Sequence, residues 1–425
     1  MTLATALRLS AVLVATLLGA CTDSTAIDDD LAGLATTFDS LGDTIVARIE
    51  GTVATAALRT LQPELRIAPT EEDTSLFGEV FDMKPGRDGR LWAFDPRART
   101  MFLFDSTGRL ERRIGRQGSG PGEFANNSGI SVLPDGRVGV WDSQNARISF
   151  FSAGGDYLRS WSHAGGFNTS NGLVSDGAGT IYVTRPVAAP GEYDTFWKLG
   201  LVQLDSSGAW VDSLVPPVVP VKRPEWQAQS SDGNDRNSTT VRYGAGGHWR
   251  WHPDGFFVTA DGARYTITLH RAAAKPLRIE RSAEPVPVGA DEQANEREII
   301  TDNMRRTNPA WTWTGDALLA TKAPLLGIQL TRDGRVWARV SLPSERIPDS
   351  ELDAPRVDGR PQRRYRETSP YEVFARDGRF LGRITMPANT TLMEAEGDVV
   401  WAITRDEVGL PALMRYRVVP GLSDR

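Results

Sequence analysis

At 425 residues, the chain has ample length for a large buried core, and the marginality of small domains is excluded. Its formal net charge is −6, and only five of its 48 basic residues are lysines, an arginine bias that reads as genome composition. A mildly acidic chain without a basic stripe argues against nucleic acid, so no such partner is expected.

Residues 1–21 have the make-up of a targeting segment. Arg8 supplies the positive charge, and the apolar run Leu9 to Leu18 is too short to span a bilayer. The run ends in Leu18-Gly19-Ala20-Cys21, and small residues before the only cysteine resemble a bacterial lipobox. That resemblance implies cleavage before Cys21, a diacylglycerol on its thiol and a lipid anchor in the membrane. The plainer reading is an ordinary signal peptide with an incidental cysteine. Several acyl chains on one residue anchor stably where one does not. A single cysteine means that an oxidising compartment adds no internal disulfide. Thr22, rather than Asp, after the cysteine implies sorting to the outer membrane of a Gram-negative envelope. Thr22 to about Gly42 is small and polar, carries Asp28-Asp29-Asp30, and reads as a tether. Thr44 to Glu50 alternates Ile45, Ala47 and Ile49 and offers an extra strand. Residues 22–63 are thus a tether and N-terminal extension.

The next stretch organises the rest. Ile67, Phe77, Asp88, Gly89, Arg90, Asp95, Phe104 and Gly108 recur 47 residues later as Ile114, Phe124, Asp135, Gly136, Arg137, Asp142, Phe151 and Gly155. A repeat of about 40 to 50 residues with Asp-Gly turns is the signature of propeller blades. Within a repeat the apolar period is two, which predicts four antiparallel strands, a to d. Further a–b hairpins follow at Asp176-Gly177, Asp254-Gly255, Asp333-Gly334 and Glu396-Gly397, making six. The sixth repeat stops after one more strand, Leu413 to Val419. Leu65-Arg66-Ile67 matches a strand d with nothing before it. Pairing the two closes the ring and removes two exposed edges. The predicted fold is an all-β, six-bladed propeller over 64–419, its last blade completed by the N-terminal strand.

Three long insertions interrupt the later blades: 215–247, 282–325 and 342–369. The second contains a predicted helix, Asp291 to Arg306, opened by acidic residues. By strand order the first two join d to a and the third joins b to c, so all three leave from one face. Loops on a rigid scaffold commonly carry function.

Ile114-Gly115-Arg116-Gln117-Gly118-Ser119-Gly120-Pro121-Gly122-Glu123-Phe124, followed by Asp135-Gly136-Arg137-Val138 and Asp142-Ser143-Gln144-Asn145, resembles an NHL repeat. The chain from about Glu64 to Val419 is similar to bacterial lipoproteins with an NHL- or TolB-like six-bladed propeller. The resemblance implies modules that bind protein or RNA, or a peptide-amidating lyase with metal-binding histidines. No such histidine pattern is matched here.

Gly118 to Gly122 has neither phosphate-loop nor nucleophile-elbow spacing and reads as a corner between blades. His248 and His252 lie four apart in a strand context, about 13 Å, too far to share one metal. Asp95, Asp142 and Asn145 end inner strands; they either line a polar site or cap their own turns. Trp226, Trp249, Trp251, Trp311 and Trp313 lie in or beside insertions, as ligand contacts or as packing. Arg360, Arg363, Arg364 and Arg366 surround Tyr365 in a run neutralised by nearby acids, which reads as solvated loop.

The expectation is a lipid-anchored, monomeric propeller of the bacterial cell envelope. It binds a protein or glycan through its insertion-bearing face, with Trp226, Trp311, Trp313 and Tyr365 as candidate contacts. No catalytic residue, metal or other cofactor is expected. The alternative is a metal-dependent, lactonase-like hydrolase or lyase at the channel mouth.

Overall fold

A computed structural model describes residues 25–29, 33–69, 76–80, 82–126, 129–163, 172–187, 199–352 and 359–422. Cys21 and its lipobox lie outside the described residues. Six four-stranded antiparallel units follow one another around a ring. Blade 1 comprises Asp82–Pro85, Leu91–Asp95, Thr100–Phe104 and Leu110–Ile114. Blade 2 runs from Gly129–Val132 to Tyr157–Ser162, and blade 3 from Leu173–Ser175 to Trp210–Leu214. Blade 4 runs from Gly247–His252 to Leu277–Arg281, and blade 5 from Leu325–Leu330 to Phe380–Ile384. Blade 6 holds Thr390–Glu396, Val399–Arg405 and Pro411–Val419, and its outer strand is the N-terminal Leu58–Ile67. Ring closure is as the orphan strand predicted, with Leu413 opposite Ile67 and Val419 opposite Thr60.

Alternation along each strand sends side chains to both sheet faces, so every blade packs on two neighbours. Blades 1 and 2 share Phe94, Met101, Ile114, Phe124 and Val140; blades 4 and 5 share Val258, Ile279, Val336 and Phe374. Equivalent apolar clusters fill the other four seams. Each fully buried phenylalanine contributes about 1.5–3 kcal/mol. One glycine of the repeat has a clear reason. Gly155, at φ +86°, turns strand c into d, and a Cβ there would lie 2.4 Å from Ile114 of the preceding blade. Only glycine allows that approach.

The segment expected to be a tether is structured instead. Thr25–Asp29 and Leu34–Leu41 are strands, and Leu34–Leu41 pairs antiparallel with Thr44–Gly51 around a two-residue Gly42-Asp43 turn. Thr44–Gly51 then adds in parallel to the outer strand of blade 4. After a short 3-10 turn, Leu58 and Arg59 pair with the outer strand of blade 5 before the chain enters blade 6. The N-terminal residues therefore form a strap over the rims of three blades. Its own Leu34, Val46, Ala47 and Ile49 are buried.

The helix α1 spans Ala290–Thr307, close to its predicted bounds. Asp291 and Glu292 in its first turn and Arg305 and Arg306 in its last complement the helix dipole. Among the described residues no helix is long and apolar enough to cross a membrane.

Candidate functional site

The three insertions meet on one face, above blades 5 and 6. The first contributes a hairpin, Glu225–Gln229 with Arg236–Thr240; the second contributes α1; the third contributes a short ladder, Glu345–Arg346 with Tyr365–Arg366. The hairpin and helix enclose a small core of their own: Trp226, Val241, Ile300, Met304 and Trp311. The indole of Trp226 donates to the Asp316 carbonyl (3.3 Å), that of Trp311 to the Gln227 carbonyl (2.9 Å), and that of Trp313 to Thr301 Oγ1 (2.8 Å). Arg297 covers the Trp313 ring at 4.2 Å. These tryptophans hold the insertions together and are not exposed contacts, a correction to the expectation of ligand-facing aromatics. The reason is areal: a flap over a polar rim needs its own apolar core to offset the entropy of ordering.

A second set of contacts locks helix and third insertion. Lys322 is fully buried, and its Nζ donates to the Leu342 carbonyl (3.0 Å), Ser344 Oγ (2.5 Å) and Glu367 Oε2 (3.2 Å), with Glu292 at 3.6 Å. Asn295 donates to the Gln362 carbonyl (2.9 Å) and accepts from the Arg364 amide (2.9 Å). Arg363 pairs with buried Glu296 at 2.9 Å. The basic run around Tyr365 is therefore partly docked on α1, and not wholly a solvated loop.

Beneath this cap lies a cleft of about 1100 Å³. Arg242 and Tyr243 of the first insertion, Arg339 of blade 5 and Tyr365 and Thr368 of the third insertion line it, and Met386 to Thr391 wall the side of blade 6. Burial, then the neighbouring Arg363, lowers the Arg242 guanidinium from its ordinary value. Burial and the carboxylates of Glu296 and Glu292 push the Tyr243 phenol well up. On the innermost strand of blade 4, burial and then Arg250, Arg339 and Arg223 bring His248 down to about 4, so it is neutral at pH 7.

Of the expected site residues, Tyr365 alone lines the cleft. Asp95 is saturated by the amides of Gly78, Glu79, Arg97 and Ala98. Asp142 accepts from the amides of Ala125, Asn126 and Asn145 and from Asn145 Nδ2, which also donates to the Gly118 carbonyl. All three cap turns and blade linkers on blades 1 and 2, and none belongs to the cleft. Buried His252 accepts the Asp254 amide at Nδ1. Among the described residues no three His, Cys, Asp or Glu side chains converge as a metal-holding group.

Arg242, Arg339 and Lys322 were not singled out from sequence, yet Arg339 carries a readable signal. Asp333-Gly334-Arg335-Val336-Trp337-Ala338-Arg339-Val340 aligns with Asp88-Gly89-Arg90-Leu91-Trp92-Ala93-Phe94-Asp95. Arg339 thus stands where blades 1 and 2 bury Phe94 and Trp141, and Val340 where they place the turn-capping aspartate. A charge replaces an aromatic where the insertion begins.

Fold and cleft together define a six-bladed β-propeller with a capped polar cleft on one face. A family model, DUF5128, described as a 6-bladed beta-propeller, matches residues 70–211. Similar solved structures include a member of the duf4221 family from Bacteroides vulgatus (10% identity, TM-score 0.48, 85% of this chain and 99% of that one). Virginiamycin B lyase from Staphylococcus aureus is similar at 10% identity and TM-score 0.39, over 84% and 99% of the two chains. Aldose sugar dehydrogenase from Streptomyces coelicolor follows at 12% and 0.40, over 85% and 99%. The search of curated proteins finds no match.

Proposed function

We propose that this is a lipid-anchored, outer-membrane propeller of a bacterial envelope that binds a glycan in the cleft of its insertion-bearing face. One observation carries the reading. Three separate insertions are locked to one another around a concave site rather than lying loose, the second to the third through Lys322 and the first to the second through the core of Trp226 and Trp311. Preorganisation of that kind lowers the ordering cost of binding. Between the two partner classes, the lining favours sugar. Protein hot spots centre on exposed aromatic and arginine anchors in apolar pockets. Here Trp226 and Trp311 are buried away from the cleft, and polar groups predominate in its walls: guanidinium, phenol, hydroxyl, amide and carboxylate.

The test is a binding screen of the full chain against an oligosaccharide panel. Thr368→Trp, which puts an indole into the cleft, should weaken binding strongly, and Asp135→Ser on the far face should leave it unchanged. Binding indifferent to Thr368→Trp refutes the site. The anchor has its own test, resting on Leu18 to Cys21. Cys21→Ser should shift the protein out of the membrane fraction or leave it uncleaved; wild-type fractionation and migration would disprove lipidation.

A further inference from the structure

We infer that the cleft selects an acidic glycan, with the carboxylate of a uronic acid held between Arg242 and Arg339. This rests on the reading of the cleft as a glycan site and adds its chemical selectivity. The charge inventory leads there. Glu296 is committed to Arg363, Glu292 and Glu367 to Lys322, and Glu345 and Glu351 to Arg366. Asp406 caps its own turn through the amides of Val408 and Leu410, and exposed Glu407 at the rim is the one lining carboxylate with neither an ion pair nor a hydrogen bond among the described residues. Arg242 and Arg339 share the lining with these acids, yet neither forms an ion pair or side-chain hydrogen bond among the described residues. At the rim, Arg405 gives Nη1 to the Gly409 carbonyl (3.3 Å) and has no carboxylate partner among them either. The lining thus carries mostly paired charges, one free carboxylate at the exposed rim, and the unpaired guanidiniums of Arg242 and Arg339.

A second, independent observation points the same way. The Tyr243 hydroxyl, buried within the lining, has no hydrogen-bond partner among the described residues. A buried hydroxyl without one is costly, and a hydroxyl or carboxylate of a ligand in the cleft would supply it. Guanidinium forks match carboxylates in a planar, bidentate manner. The cleft is far larger than one inorganic anion and sits at the top of the small-molecule range, which suits an oligosaccharide of a few residues. The repeat adds support. An aromatic at position 339 would close the seam as Phe94 does, so the arginine forgoes core packing in favour of a charge in the cleft.

The experiment is isothermal titration of the full chain in detergent with four probes. These are an oligogalacturonate tetramer, its carboxyl-reduced neutral counterpart, an acidic peptide of similar charge, and sodium sulfate. The uronate should bind, with the neutral sugar roughly tenfold to a hundredfold weaker. Arg242→Gln and Arg339→Phe should each weaken uronate binding by about tenfold or more. Arg339→Phe restores the residue of the repeat, so its melting temperature should hold or rise and loss of affinity will not reflect misfolding. Equal affinity for acidic and neutral sugars overturns the inference while leaving the glycan site standing. Binding of the peptide alone, or of sulfate alone, overturns it, as does binding of no probe. Uronate binding that survives Thr368→Trp refutes the cleft itself.

Discussion

Replacing Lys322 with methionine is expected to destabilise the protein by about 3–5 kcal/mol, the range for breaking a buried ion pair from one side. Methionine roughly keeps the volume, so the loss is electrostatic. Glu367 and Glu292 would stay largely buried opposite an apolar side chain, and the Leu342 carbonyl and Ser344 hydroxyl would lose their donor. The damage should be local first. Hydrogen exchange should quicken in Glu345–Arg346, Tyr365–Arg366 and α1 before the blades respond, since these are joined mainly through the cap. Denaturant unfolding with residue-resolved exchange measures both effects. A loss below about 1 kcal/mol, the level of an exposed pair, would mean that Lys322 does not lock the cap.

Deleting residues 22–68 should have the larger effect and cause aggregation or failure to fold. Pro411–Val419 would become an open edge, and blade 5 would lose its contact with Leu58 and Arg59. Val46, Ile49 and Ile67 would leave the core, at about 1.5–3 kcal/mol each, against a typical total stability of about 5–15 kcal/mol. Deleting only 22–42 should be milder, because Leu34–Leu41 is near the sheet edge and carries few buried side chains, Leu34 and Thr36 among them. Soluble yield and melting temperature distinguish the two. Equal stability of both truncations would contradict the role of Leu58–Ile67 in closing the ring.

The ring was legible because its instructions are local and repeated. Asp88-Gly89 and Asp135-Gly136 mark turns, and the period-two alternation between them marks strands. Leu65 to Ile67 was legible as an orphan strand because its match at Arg112 to Ile114 already had a place. The strap was misread because Leu34 to Leu41 is built largely from small and polar residues. Its hairpin turn, Gly42-Asp43, was nonetheless present as a signal. The tryptophans show a different limit. Sequence located Trp226 and Trp311 on insertions, but whether they face a ligand or one another depends on contacts about 85 residues apart, such as Trp311 to Gln227. The cleft lies deeper still. Arg242 and Arg339 are separated by a blade and a helix, and their common lack of a carboxylate partner among the described residues appears only when the acids around them are traced to their own contacts.

The most direct measurement of the central claim is photocrosslinking in intact cells, with a benzophenone side chain placed at Thr368 in the cleft or at Arg137 on the far face. Carbohydrate-bearing adducts from position 368, absent from 137 and from 368 in the Arg339→Phe background, are the expected result. Adducts formed only from position 137 would place the partner on the opposite side of the ring and contradict the account.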